Sequence, residues 1–470
     1  MRCHFLLLLF LALNSPVFGQ DMRVIDANHP AFDAVQTPTT LVPPPKPIFD
    51  VRTYGAVGDG KTFDTAAIQK AIDACAGSGG TVYLSGGKFL TAPLELKGKM
   101  TFYVNADASL LGSTLPEDYP DKMPPKTAAS GLRKSLIYAY AADELIMDGT
   151  GEIDGQGQLL KMGGKEPFRP SLLRIFGSKN VTVRNLTLRN PRMWTDIYSE
   201  CSHLTLDHLN IFSPRGYCEN LDGMDVCDCD HVTISNCHIE AQDDGICLKS
   251  HGERGLQDIS VFNNTITDFD ANAIKVGTAT TGPIERLSFV NNTIKGARYG
   301  GLCIESVDGS KVNDIHVDGL EMSRVSQPIF IRLARRNLAK DGKPATTPGS
   351  IDNVLIENVR VTNPGTSTIP SNTITGIPEA NLGSIVIRNA YIEMPGGQTK
   401  IPQVSGEKDG TYPQSNIFGL TSAYGIYVRH APNVTLDHVS FPSTKPDVRP
   451  WLASDDATVN TVACPSVTHP

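Results

Sequence analysis

Charge is scarce in this chain, and basic charge is nowhere concentrated. Only 20% of its 470 residues are Asp, Glu, Lys or Arg, and the formal net charge is −8. A protein that grips nucleic acid needs a cationic face, so no nucleic-acid partner is expected. Long apolar runs are missing too. The one run of note, residues 5–13, is too short to span a bilayer, so no membrane partner is expected either. Helical periodicity is confined to one stretch, Asp64 to Cys75, which rules out a helical bundle. The ten cysteines contain no CxxC, and Cys227 and Cys229 stand one residue apart, so no zinc pattern fits. What is plentiful is Gly (42) and Pro (32) within a chain that is 40% apolar, the composition of many strands and turns.

The first residues read as a secretory signal over 1–19: Arg2, the apolar run, Pro16, and small Gly19 before Gln20. An exported, monomeric protein is expected. Its remaining nine cysteines are odd in number and mostly sit in strand-like runs, so packed thiols are the main reading, with one or two disulfides left open. Residues 20–48 form a proline-rich lead-in (PPPKP at 43–47). In the helix, Asp64 is placed to act as N-cap, and Ile68, Ala71, Ile72 and Cys75 form an apolar stripe that suits a lid over one end of a strand array. YGAVGDG (54–60) lacks a strand–GxGxxG–helix context and reads as a turn.

From about residue 145 one pattern recurs: VTVRNLTL, LTLDHLNI, VTISNCHI, ISVFNNTI, LSFVNNTI, IHVDGLEM, VLIENVRV, IVIRNAYI, VTLDHVSF. Its third position gives Val183, Leu206, Ile234, Val261, Phe289, Val317, Ile356, Ile387 and Leu436, with first intervals of 23, 28, 27, 28 and 28 residues. A period of that size signals a solenoid. Two positions on stands a polar column: Asn185, His208, Asn236, Asn263, Asn291, Gly319, Asn358, Asn389 and His438. Asparagine tolerates left-handed backbone and can bond an identical neighbour one coil away, so a stacked turn ladder is expected. The fold class is therefore all-β, a single-stranded right-handed parallel β-helix over 49–445 with an N-terminal capping helix, and 446–470 as C-terminal cap and tail.

Around residues 220–250, NLDGMDVCDCDHVTISNCHIEAQDDGICLKS, three carboxylates stand at the heads of successive strands: Asp222, Asp243 and Asp244. GMDVC, GICLK, AIKVG, GLCIE and PIFIR superpose at the same period, with second and fourth positions turned inward. The outward columns are then Asp225, Cys247, Lys275, Cys303, Phe330 and, beside them, Cys227, Lys249, Gly277, Glu305, Arg332. Asp-Gly pairs also make plain turns, but stacked coils bring these carboxylates to one face. Inverting hydrolysis of a glycosidic bond needs such a set: an acid at the glycosidic oxygen and a base with room for a water. Clustered carboxylates repel, so one should keep its proton near neutrality.

These residues resemble the polygalacturonase family of glycoside hydrolases, family 28, over nearly the whole mature length. FDVRTYGAVGDGKTFDTAAIQKAIDAC with GGTVYLSGGKFLTAPLELK, and LIYAYAADELIMDGTGEIDGQGQ, are similar to its first coils. Most specific is Asn220-Leu221-Asp222 followed by Asp243-Asp244. The resemblance implies a pectin-lyase-like solenoid and an inverting hydrolase of galacturonate-containing pectic chains that uses no metal or other cofactor. It implies Asp243 as general acid, with Asp222 and Asp244 holding and deprotonating the water. The family's Gly-His-Gly is matched here by Ala271-Asn272-Ala273, and its Arg-Ile-Lys by Cys303-Ile304-Glu305. His251, in SHG, reads as a loop residue. Glu305 would repel a galacturonate carboxylate. Lys249, Lys275 and Arg332 are candidates for a relocated carboxylate receptor, with Arg332 also pairing with Glu305, or else the three charges simply satisfy one another as a ladder. Loss of the Arg-Ile-Lys cations suits a neutral-sugar subsite, as in rhamnogalacturonan, or exo attack. Asn220, Asn272 and Trp194 complete the expected substrate-binding set, with Arg192 and Tyr217 on neighbouring loops; Trp194 is either a sugar platform or a packing residue. The insert 394–421, with Tyr412, is expected to wall off one end of the cleft. Two other readings stay open: a calcium-using pectate-type lyase, and a non-catalytic carbohydrate-binding β-helix.

Overall fold

Strand after strand in this protein pairs not with its neighbour in sequence but with the strand one coil away, and every ladder between strands is parallel. The computed structural model describes residues 44–120, 134–159, 169–213, 218–268, 270–336, 347–365, 371–380, 382–404 and 406–465. The expected signal segment, most of the lead-in and Tyr217 lie outside them. The described residues belong to one compact unit, Gln36–Pro470. Its fold is a right-handed parallel β-helix.

Three stacked faces build the coil. One runs through Ser171–Phe176, Asp196–Ser199, Met224–Cys227, Ile246–Ser250, Ile274–Thr280, Gly300–Ser306 and Gln327–Leu333. A second carries Lys179–Arg184, Ser202–Asp207, Asp230–Ser235, Leu256–Phe262 and Ile284–Val290. A third carries short strands such as Asn210–Ser213 and His238–Ala241. Alternate residues point inward. On the second face, Val183, Leu206, Ile234, Val261, Phe289, Val317, Ile356, Ile387 and Leu436 are register partners in one unbroken column. All nine are buried in the apolar core.

The polar column two positions on is left-handed at every member, with φ between 51° and 73°. The expected amide-to-amide ladder is not what it makes. Asn185 donates to Asp148 and Asn236 to Asp207, both at 2.8 Å, and Asn358 to Asp318 at 2.6 Å; only Asn389 reaches its own kind, Asn358, at 3.5 Å. The buried amide ladder lies one residue further on. Asn264 Nδ2 donates to Asn292 Oδ1 at 3.0 Å, and both amides also satisfy strand carbonyls in the core.

The helix spans Thr65–Cys75 and buries Ala67, Ile68, Ala71, Ile72 and Cys75 against the first strands. Asp64 does not cap it through its side chain. The carboxylate turns back instead to accept the N–H groups of Val57 and Gly58, at 2.6 and 3.0 Å, and so closes the 54–60 turn. At the other end, the segment expected as cap and tail contributes a last parallel strand, Leu452–Val462, on Ile426–Ser440. The nine described cysteines are all free thiols, seven of them buried.

Candidate active site

Asp222, Asp243 and Asp244 stand where the chain enters two successive strands of the first face. Each strand begins directly after a glycine, and the reason is close approach between coils. A Cβ on Gly223 would lie 2.5 Å from the Gly245 carbonyl oxygen, and one on Gly245 would lie 2.6 Å from that of Ala273. The aligned pentapeptides stack in the expected register: Asp225, Cys247, Lys275, Cys303 and Phe330 are partners in turn.

The two neighbouring carboxylates face opposite surroundings. Asp244 is nearly buried. Its Oδ1 accepts from Asn272 N at 3.0 Å and from Asn272 Nδ2 at 2.7 Å, and its Oδ2 from Lys275 Nζ at 3.0 Å. Burial alone would raise its pKa, but Lys275, Asn272 and Lys249 together hold it below the ordinary carboxylate value. Asp243 is half-buried; among the described residues its oxygens accept from the Asp244 amide N–H at 2.9 Å and from Asn220 Nδ2 at 3.3 Å. Burial first, and then the charge on Asp244, push its pKa up. Asp222 is raised as well, by burial and then by Asp225. Carboxylate oxygens of Asp222 and Asp244 and the Cys247 thiol all lie within 4.8 Å of one another, so a single water can touch both acids.

The expected cations are present but already occupied. Lys249 is bonded to Asp225, lies 3.8 Å from Asp222 Oδ2, and sits 3.6 Å above the centre of the Trp194 ring. Trp194 is therefore a support for that ammonium. Lys275 is 1% exposed and bonded to Asp244. Arg332 does not pair with Glu305: its guanidinium donates to Thr375 Oγ1 and the Glu407 carbonyl and lies 4.9 Å above the Phe418 ring. The insert covers it, so it is closed to a substrate carboxylate. Glu305 is 1% exposed, and burial, with Lys275 opposing, pushes it up to about 7. Below that pH it is uncharged, and the expected repulsion disappears. Arg192 is buried too, donating to the Gly157 carbonyl at 2.9 Å. His251 is an exposed loop residue.

A pocket of about 460 Å³ is lined by Asp243, Asp244 and Lys275 together with Asn220 and Tyr299. Its wall is Tyr412, Gln414 and Asn416, from the insert. Several contributors carried no local signal. Arg169 donates to Asn220 Oδ1 at 3.2 Å from 51 residues away, and Cys247, at 3.4 Å from Asp244, looks in sequence like any core thiol. Asp225 had a place in the column but no role; it is the buried partner of Lys249 and is pushed up to about 6 by burial.

The same carboxylates are poor calcium ligands. Asp244 spends both oxygens on Asn272 and Lys275, and the third group within reach is a thiol, where calcium takes oxygen.

Three carboxylates gathered at a pocket and floored by a β-helix are an arrangement suited to a glycoside hydrolase. Residues 83–394 match the description "Glycosyl hydrolases family 28", and residues 48–106 match "Rhamnogalacturonase A/epimerase, pectate lyase-like". The chain belongs to glycosyl hydrolase family 28. It is 26% identical over 388 residues to a probable polygalacturonase of Vitis vinifera, covering 76% of each chain. It is 24% identical over 406 residues to an exo-poly-alpha-D-galacturonosidase of Dickeya chrysanthemi, covering 73% of this chain and 66% of that one. The structure of a family 28 exopolygalacturonase of Yersinia enterocolitica superposes with a TM-score of 0.68 over 90% of this chain and 79% of that one; at 20% identity this likeness is one of fold.

Proposed function

We propose that the protein is an exported, inverting galacturonan hydrolase that attacks chain ends. The observation that carries this reading is the unlike placement of two adjacent carboxyls on the pocket, Asp243 half-buried against Asn220 and Asp244 buried on Asn272 and Lys275, with which the upward displacement of Asp243 and the downward displacement of Asp244 agree. Groups whose surroundings drive their pKa values apart are suited to be acid and base at one pH. Asp243, open to the pocket, protonates the glycosidic oxygen. Asp244, kept ionised by Lys275 and Asn272, takes a proton from a water that Asp222 helps to orient. The family membership and the names of the relatives support galacturonan as substrate. The wall built by the insert supports attack at chain ends.

Product analysis on homogalacturonan and rhamnogalacturonan, side by side, tests the reading. Wild type should release saturated sugars whose new reducing end is first formed with inverted configuration, and Asp243→Asn should release almost none. Retained configuration, or unsaturated products absorbing in the near ultraviolet, would overturn it.

A further inference from the structure

We propose that Tyr412 is the sugar platform of this pocket, and that the same residue keeps Lys275 in place on Asp244. The proposal rests on the hydrolase reading above and adds a residue to it. Tyr412 belongs to the insert, beyond the stretch 83–394 that matches the family description. Its side chain is divided in use. The hydroxyl is anchored inside, where it accepts from Lys275 Nζ at 3.0 Å and lies 2.8 Å from Thr278 Oγ1. The residue is nonetheless 55% exposed, and it walls the pocket that holds Asp243 and Asp244.

An aromatic ring pinned at one end and open at the other loses little freedom when a ligand covers it. The ligand such a face takes is a pyranose ring laid on its C–H side, apolar against apolar, with its hydroxyls directed at the Gln414 and Asn416 amides beside it. Each aromatic ring at the site has a cation near one face: Trp194 carries Lys249, Tyr299 the Arg298 guanidinium at 5.5 Å, and Tyr412 the Lys275 ammonium at 5.1 Å; of the three, Tyr412 belongs with Gln414 and Asn416 to the pocket wall formed by the insert. Lys275 lines the same pocket but is 1% exposed and already bonded to Asp244 and to the Tyr412 hydroxyl, so the ring offers substrate far more surface than the ammonium does. Occupying the platform and holding the base ionised thus pass through one side chain.

Tyr412→Phe keeps the ring and removes the anchor, whereas Tyr412→Ala removes both. Each is measured on galacturonate oligosaccharides of defined length, by kinetics and by binding in an Asp243→Asn background. Tyr412→Ala should raise KM, and weaken binding, by roughly tenfold, as expected for loss of one aromatic stack. Tyr412→Phe should bind as wild type does while the acid limb of its kcat–pH profile moves upward, because Lys275 is held less firmly on Asp244. Unchanged KM and binding in Tyr412→Ala, or equal losses in the two variants, would overturn the platform. An unmoved pH profile in Tyr412→Phe would overturn the link to Lys275. Failure of the hydrolase reading is distinct: wild type itself would then leave the oligosaccharides uncut.

Discussion

Replacing Glu305 by glutamine isolates the cost of keeping a carboxyl buried within the stacked coils, on the strand Gly300–Ser306. Glu305 is raised from the ordinary 4.5 to about 7, chiefly by burial, and its Oε2 has no hydrogen-bond partner. In the unfolded chain it returns to the ordinary value. Below pH 4.5 both states hold the proton and the stabilising contribution is complete. Between there and about pH 7 the unfolded chain releases the proton and the folded one retains it, so stability falls as pH rises, by about 1.4 kcal/mol per pH unit. Across the whole window the loss is about 3 kcal/mol, and the group is fully buried, so solvent screening does not reduce it. Glutamine cannot titrate. Its amide has a fixed cost of its own, so the informative quantity is a difference of differences. Chemical denaturation of both proteins at pH 5 and pH 8 should show wild type losing roughly 2–3 kcal/mol more than Glu305→Gln over that interval. Stability–pH curves that run parallel in the two proteins would refute the reasoning.

Other outcomes follow from the same geometry. Asp243→Asn should lower kcat by roughly 10²–10⁴-fold with the circular dichroism unchanged, since it removes the proposed proton donor. Lys275→Met should shift the acid limb of the pH–rate profile upward, because burial of Asp244 is then opposed by less charge; a limb that stays put would remove Lys275 from that role. Asn292→Ala strips a buried acceptor from Asn264 and should cost about 1–3 kcal/mol, read as a fall in melting temperature. Phe289→Ala, in the middle of the core column, should cost about 3–5 kcal/mol on the same measurement.

The column from Val183 to Leu436 was legible because two periods coincide in it, the alternation along a strand and the roughly 28-residue step between coils. The left-handed Asn column was legible for a local reason, since only a few residue types accept that backbone. Its bonding partners were not, because an amide that can reach either an Asn or an Asp one coil away carries no mark of which it meets. The three carboxylates Asp222, Asp243 and Asp244 shared the register of the coils and so could be placed. The fate of the cations could not. Arg332 is covered by residues 75 or more positions away, and Lys275 meets Tyr412 across 137 residues, distances at which no periodicity operates. Asp64 misled for the opposite reason: a helix cap and a turn closure draw on the same carboxylate, and tertiary geometry chose the turn.

Ile387 and Leu436 are 49 residues apart and yet sit side by side in register. The chain leaves the stack after one coil, builds the wall that carries Tyr412, and rejoins the stack at the next rung. Floor and wall are thus under different constraints: the floor must keep its spacing or the carboxylates lose each other, whereas the wall is bound only by where it departs and returns. The length and make-up of such an excursion can change while the rungs beneath it, and the carboxylates they carry, keep their places.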